Sequence, residues 1–468
     1  MAVLENGEGR HFEVACEVAI VGAGAAGLVA ALRAREAGAD VLVFERDRLP
    51  SGSTALSAGL IPASGTRFQK ESGLADSDEV FIRDIMAKAH GEPDPEAVAT
   101  VVAEVGPTLE WLADRHGLPF SVIANFTYPG HSANRMHGLP SRSGSELMDH
   151  LRSAAERAGV EILTEARVSA LFATARGDVS GLRFMRPDGA VEEVGCKALI
   201  LACNGYGGDR RRVASLIPDM AGSLYFGHPG NQGDALSWGE ALGAATRHLS
   251  GYQGHGSVAH PQGILITWAT MTEGGFQVNS AGERFSDEST GYSEQAARVL
   301  AQPGGVAWSI FDSRIAAIAS QFEDFRNAEA MGAVIRAESA GALAAVTGLP
   351  AGALALSFDE VAAAKNSGGE DRLGRDFGST PQLQPPYCAV RVTGALFHTQ
   401  GGLIVDREAR VRKGDGSAFG NLFAAGGAAC GVSGASPSGY LSGNGLLTAV
   451  AYGSIAGRIA ASAGTTPV

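Results

Sequence analysis

Residues 16–47 read CEVAIVGAGAAGLVAALRAREAGADVLVFERD, and the rest of the chain is organised around them. Val18 to Val21 form a short apolar run, the pattern of a buried strand. Gly22, Gly24 and Gly27 follow at G-x-G-x-x-G spacing. A helix is expected next, with Leu28, Ala31, Leu32 and Arg35 at helical intervals and an end near Gly38. A second apolar run, Val41 to Phe44, ends in Glu45. The first glycine makes the tight turn, the second lets backbone approach a pyrophosphate, and the third lets helix pack against strand. The helix N-terminus offers free N–H groups to phosphates, and Glu45 can accept from a ribose hydroxyl. Strand, glycines, helix, strand and terminal acid in this order predict a dinucleotide-binding α/β domain.

At 468 residues the chain has room for two or three domains. Its 37 basic and 50 acidic residues give a net charge of −13, which argues against nucleic acid or an anionic membrane surface as the main partner. The five cysteines (Cys16, Cys196, Cys203, Cys388 and Cys430) form no C-x-x-C pair, so no redox dithiol, haem attachment or metal site is expected. The start, MAVLENGEGRHFE, has no charged segment followed by an apolar core, hence no secretion signal and an expected cytoplasmic location. The uncharged stretch between Glu338 and Asp359 is broken by Pro350 and reads as helix, turn and helix start, not a transmembrane segment.

Further along, Ser51 to Gly65 is a small-residue loop where a ligand can lie close to backbone. Asp94-Pro95 opens a helix that Pro107 is expected to kink. Ser145 to Ala158 is a second helix, and Glu161–Leu163, Val168–Phe172 and Gly181–Met185 read as a meander. Lys197 to Ala202 is another buried strand, ending in ACNGYGGD. Mostly helices are expected from Gln295 to Asn366. Strand patterning resumes at Tyr387, and a long helix from Asn444 closes the chain. The expected fold is α/β: a discontinuous Rossmann-type domain, residues 1–234 and 379–468, with an inserted α+β capping or catalytic domain, residues 235–378.

Together, VAIVGAGAAGLVAAL, STALSAGLIPA, LILACNGYGGD, NQGDALSWGEALGA, GGFQVNSAGERFSDEST, FHTQGGLIVD, LFAAGG and GYLSGNGLLTAVAYGSIAG resemble the fumarate reductase/succinate dehydrogenase flavoprotein family, which includes the 3-ketosteroid dehydrogenases. The likeness spans nearly the whole chain. It implies FAD, bound by one domain and capped by the other, with catalysis between them. By position, it assigns Gly22, Gly24, Ala26 and Gly27 to the pyrophosphate and Glu45 to the adenosine ribose. Ser53, Thr54, Ser57 and Gly59 fall on the flavin side, Ala202 and Gly205 near the adenine, and Gly426, Gly427, Gly445 and Leu446 beside the ring. Arg46, Val168 and Asp234 complete the implied set. Some relatives attach FAD through a histidine in the second glycine-rich loop. Here the loop reads Gly52-Ser53-Thr54, so non-covalent FAD is expected. Where many members carry glutamate after A-A-G, this chain has Gly427.

The resemblance also exposes two departures at the substrate end. Fumarate reductases use an arginine shortly after the N-x-x-G-x-R-F motif as proton donor, and another, in a G-N-R-L-G-G-N-type run, to clamp a carboxylate. Here Tyr292 and Tyr440 fall at those places, while His255 in QGHGS and His398 in FHTQGG are retained. Tyrosine cannot imitate bidentate carboxylate recognition. In the ketosteroid dehydrogenases, a tyrosine and a backbone N–H hold a ketone oxygen. Another tyrosine there removes the α-proton, and the β-hydrogen passes to flavin N5 as hydride. The resemblance therefore assigns Tyr440, with a backbone N–H near Asn444, to the ketone oxygen and Tyr292 to the α-proton. His255 and His398 would orient substrate or tune the phenols, with Ser442 and Tyr128 as candidate relay groups.

The expected activity is FAD-dependent desaturation of a cyclic ketone, 3-ketosteroid or smaller, with electrons passed to an external acceptor. The alternatives are an ene-reductase of an enone or unsaturated acid, and a flavoprotein subunit serving only electron transfer. A capping domain of modest size favours a small or exposed substrate.

Overall fold

Residues 16–47 fold as their pattern predicts, with strand Ala15–Val21, helix Ala25–Glu36 and strand Val41–Phe44. The computed structural model describes residues 3–124, 127–378 and 380–463. Ser379, where the expected first domain resumes, lies outside the described residues, as do residues 1–2 and 464–468 at the ends of its range. The chain divides into two units: Met1–Leu216, Gly227–Tyr252 and His398–Val468 form the first, and Ile217–Phe226 with Gln253–Phe397 form the second. The architecture is α/β, a discontinuous Rossmann-type unit with an α+β unit inserted in the chain.

In the first unit, a nine-stranded sheet has a parallel half in the order Glu161–Leu163, Val41–Phe44, Ala15–Val21, Val191–Leu201 and Ala418–Ala424. Strand Val191–Leu201 serves two neighbourhoods. Residues 191–195 pair antiparallel with Val179–Met185 in the meander, and residues 199–201 pair parallel with Leu422–Ala424. Val18, Ile20, Leu199, Leu201 and Leu422 are fully buried, as expected for parallel strands covered on both faces. Each such side chain contributes roughly 1.5–3 kcal/mol through burial.

The closing helix, Asn444–Ala463, packs against Ala25–Glu36 through glycines. A Cβ at Gly453 would fall 2.5 Å from the Ala26 carbonyl oxygen, and one at Gly457 would fall 2.2 Å from that of Ala30. Only glycine permits this approach, which fixes where the closing helix begins. The helix Pro95–His116 continues through Pro107 as one element.

The second unit has a seven-stranded sheet whose central strand, Tyr387–Thr399, pairs antiparallel with Val306–Asp312 over residues 387–393. The stretch from Gln295 to Asn366 is mostly helical, as expected, with two strands, Val306–Asp312 and Ile335–Ala337, set among the helices. Val306–Asp312 is a nearly continuous buried run, and periodicity alone does not separate such a strand from a buried helical turn. The unit boundaries also differ from the expected ones. Residues 387–396 hydrogen-bond within the second unit's sheet, while 227–252 belong to the first. Among the described residues, no helix is long and apolar enough to cross a membrane.

Candidate active site

The nucleotide cradle starts at Gly22, whose φ is 104° and whose Cβ would fall 2.5 Å from the Ala202 carbonyl oxygen. At Gly27 a Cβ would fall 1.9 Å from the Gly22 carbonyl oxygen, so the turn closes only without side chains. At Gly24 the nearest atom is Thr54 Oγ1 at 3.7 Å, leaving its backbone approachable. The helix behind it has no side-chain cap and no acid in its first turn, so its positive end is not neutralised. Thr54 Oγ1 accepts the Ala25 N–H at 3.2 Å. Glu45, 7% exposed at the end of its strand, accepts from the N–H groups of Ala23 and Asp47, both at 3.0 Å.

Around this cradle stand the other expected contacts. Ser53 Oγ accepts from Asn231 Nδ2 at 2.9 Å and from the His228 N–H at 3.3 Å. Ser57 Oγ accepts from the Gly59 N–H at 3.1 Å, and Gly59 has φ 64°. Arg46 donates to the Gly230 carbonyl. Asp234 opens the helix Asp234–Leu242; burial raises its carboxyl pKa, and Arg46 pulls it the other way. Val168 lies buried on the strand Arg167–Ala173. Ala202 directly follows the strand Val191–Leu201, and Gly205 is held where a Cβ would meet Thr399 Oγ1 at 2.1 Å. Ala26 lies under Gly426, whose Cβ would be 3.2 Å from its own. Leu446 is partly exposed in the first turn of the closing helix.

The absence of a glutamate at Gly427 has a visible partner. Asn204 adopts φ 66°, and its Oδ1 accepts the Gly205 N–H at 2.8 Å. A Cβ at Gly427 would fall 2.1 Å from that oxygen. Sequence reading passed over Asn204; its signal is an asparagine in a glycine-rich turn, where a positive φ is tolerated.

The expected catalytic residues fall into one set in each unit. In the first, Tyr440 is 6% exposed, and burial pushes its phenol pKa up against the lowering effect of backbone hydrogen bonds at Gly445 and Gly443. The neighbouring Tyr128 phenol adds to the rise. The His398 ring lies 5.6 Å from that of Tyr440, centroid to centroid. Its pKa is lowered to about 4 by burial, so the imidazole is neutral. The Ser442 carbonyl accepts from His131 Nε2 at 3.0 Å, and Arg135, paired with buried Asp84, backs that histidine at 3.3 Å. This network, which no motif announces, anchors the Tyr440–Gly443 turn.

In the second unit Tyr292 is the first residue of helix Tyr292–Leu300, and its ring stacks on His255 at 4.9 Å with planes 20° apart. Burial lowers the His255 pKa to about 3. Its Nδ1 accepts the Ser257 N–H at 3.2 Å, which leaves the ring proton on Nε2. Trp268 and Phe397 complete an aromatic cluster around His255. Trp268 Nε1 is buried without a hydrogen-bond partner, a donor that sequence reading missed. Beneath the helix, Arg284 of the N-x-x-G-x-R-F motif and Arg375 both bond buried Glu288, at 2.8 and 2.9 Å. That motif therefore serves to fix the turn leading into Tyr292.

A two-glycine turn at a helix start, an acid at the end of the next strand and a second glycine pair at Gly426–Gly427 define a dinucleotide-binding flavoprotein unit. The family described as FAD binding domain matches residues 17–446. A probable fumarate reductase of Shewanella frigidimarina is 29% identical over 95% of this chain and 74% of its own length. The 4-oxocyclohexanecarboxylate 2-dehydrogenase of Sinomonas cyclohexanicum is 25% identical over 88% of this chain and 87% of its own. The open conformation of a flavocytochrome c3 fumarate reductase superposes with a TM-score of 0.83 at 28% identity, covering 97% of this chain and 79% of the other. Solved 3-ketosteroid dehydrogenases share the fold. The chain belongs to the FAD binding domain family of flavoprotein oxidoreductases, and its cofactor is FAD.

Proposed function

We propose that the protein acts on CH–CH bonds and desaturates the α,β bond of a cyclic ketone, 3-ketosteroid or smaller. The observation that carries this is the Tyr440 phenol, hydrogen-bonded with backbone at Gly443 and Gly445 where the closing helix begins. The backbone N–H groups at Gly443 and Gly445 donate to the phenol oxygen and, with the helix N-terminus, support a hydroxyl that donates to one oxygen gaining negative charge. The run Gly439-Tyr440-Leu441-Ser442-Gly443-Asn444 offers no guanidinium to clamp a carboxylate. A relative that bears the name of a cyclic-ketone dehydrogenase supports the same reading.

Tyr440 and the backbone N–H near Asn444 hold the ketone oxygen, and neutral His398 donates beside them. Tyr292 takes the α-proton. As first residue of its helix it sits at the positive end of the peptide dipoles, which favours a phenolate. His255 stacks on that phenol's ring, with Trp268 and Phe397 beside His255. Ser442 and Tyr128 are the secondary relay candidates. FAD, held non-covalently because residues 51–54 carry no histidine, supplies the two-electron acceptor when bound. A separate acceptor then takes the electrons.

The second reading runs the chemistry backwards, as an ene-reductase of an enone or unsaturated acid with Tyr292 as acid; the fumarate reductase relatives favour it. Anaerobic mixing of the FAD-loaded protein with saturated cyclic ketones should bleach the flavin, and succinate should not. Bleaching by succinate alone would overturn the ketone reading. Turnover of no ketone, enone or unsaturated acid, with tight binding of a redox partner, would favour a pure electron-transfer subunit.

A further inference from the structure

Two residues beyond His398, Gln400 is 5% exposed and both ends of its amide are engaged. Its Nε2 lies 2.8 Å from His398 Nδ1. Its Oε1 accepts from Ser433 Oγ at 2.7 Å, and Ser433 Oγ accepts from Asn444 Nδ2 at 3.0 Å. Ser433 is 1% exposed and Asn444 fully buried, so water does not interrupt the chain. All four residues belong to the first unit.

With the Asn444 and Gln400 amides oriented as these hydrogen bonds have them, the direction of the chain follows from counting protons. Asn444 Nδ2 can only donate, so Ser433 Oγ receives there and gives its single proton to Gln400 Oε1. The Gln400 amide then presents its NH₂ to the imidazole, and an NH₂ group can bond only a bare ring nitrogen. The ring proton must therefore reside on Nε2. The Thr399 carbonyl, 3.4 Å from Nδ1, is the acceptor that the opposite tautomer would use. The Nε2 edge faces the start of the closing helix, where a Cβ on Gly445 would fall 2.8 Å from it.

We propose that Gln400 is a positioning residue which, through the Asn444–Ser433 chain, locks His398 as the Nε2–H tautomer and so makes it a neutral hydrogen-bond donor beside the Tyr440 phenol. This rests on the reading that His398 serves the ketone oxygen. A neutral N–H donor stabilises a developing enolate without presenting an acid strong enough to protonate it. The two histidines of the candidate site then share one tautomer, each set by a donor at Nδ1: Gln400 for His398, the Ser257 backbone for His255.

The test is nitrogen NMR on the full-length, FAD-loaded protein labelled with ¹⁵N-histidine, with His398→Asn assigning the signal by its loss. The wild type should show His398 protonated at Nε2 only. Gln400→Glu, whose carboxylate can only accept, should move the proton to Nδ1; Gln400→Met should leave a mixture. With a ketone substrate and an artificial acceptor, Gln400→Glu should lower kcat on the order of 10²-fold with little change in KM, the loss of one donor to a developing oxyanion. A wild-type proton on Nδ1, or a tautomer indifferent to both substitutions, would overturn the proposal. A tautomer that moves as stated while kcat stays at the parent value, in these variants and in His398→Asn, would uphold the hydrogen-bond chain and overturn the role given to His398.

Discussion

The His398 imidazole meets the Tyr440 phenol edge to face, with ring centroids 5.6 Å apart and planes at 77°. The contact sets two neutral groups at one end of the closing helix, and the proposed function makes both donors to a single oxygen. A dicarboxylate would instead require fixed positive charge, which neither group supplies.

Replacing Tyr440 with Phe keeps the ring contact and removes the hydroxyl. Loss of one donor to an enolate oxygen should cost about 10²–10³-fold in kcat/KM for a cyclic ketone. FAD content and thermal midpoint should stay near those of the parent. Steady-state kinetics with an artificial acceptor check this, and undiminished turnover would leave the ketone oxygen elsewhere.

Tyr292→Phe separates proton abstraction from binding. A lost general base should lower the rate of flavin bleaching by roughly 10²–10⁴-fold. Exchange of the substrate α-hydrogen with deuterated solvent should vanish with it. Retained exchange would assign the base to another group.

The glycines of the first turn should separate by phenotype. Gly27→Ala pushes a Cβ to 1.9 Å from a backbone oxygen and should destabilise the apoprotein by at least 1–3 kcal/mol, an overpacking cost. Gly24→Ala meets nothing nearer than 3.7 Å, so the apoprotein should melt normally while FAD affinity falls. Apoprotein melting and flavin-fluorescence titration distinguish the two.

At the second glycine pair, Gly427→Glu must displace Asn204 from its bond to the Gly205 N–H. FAD affinity should drop about tenfold, equivalent to ~1.4 kcal/mol. The double variant Gly427→Glu, Asn204→Gly should recover part of the loss.

Burial lowers His131, His137 and His398 to about 4 and His255 to about 3. Unfolded histidine protonates near pH 6.5, so below that the unfolded chain binds protons that the folded chain does not. The stability these neutral imidazoles preserve is complete above about pH 6.5 and is lost as the pH falls toward 4, at up to ~1.4 kcal/mol per pH unit per histidine. Glu288 acts lower in the range. Burial alone would raise its carboxyl, but Arg375 and Arg284 hold it below the ordinary value. Urea midpoints should hold from pH 7.5 to about pH 6.5 and then fall down to pH 4.5, and a flat profile over the whole range would contradict the lowered values of these rings.

Local pattern was enough for the nucleotide cradle because each part acts over a few residues. An apolar run makes a strand, glycines make a turn too tight for side chains, and an acid ends the next strand. The closing helix was legible for the same reason, while Tyr292, Tyr440 and the two histidines were singled out only by likeness to a family's short motifs. Tertiary structure decided what long-range contact alone can decide. The strand Val306–Asp312 is fixed by pairing with residues 387–393. Asn204 is explained by Gly427, more than two hundred residues away. The His398 tautomer is set by a chain of amide and hydroxyl groups that no spacing reveals, because a hydrogen bond's direction depends on which partners the fold brings together.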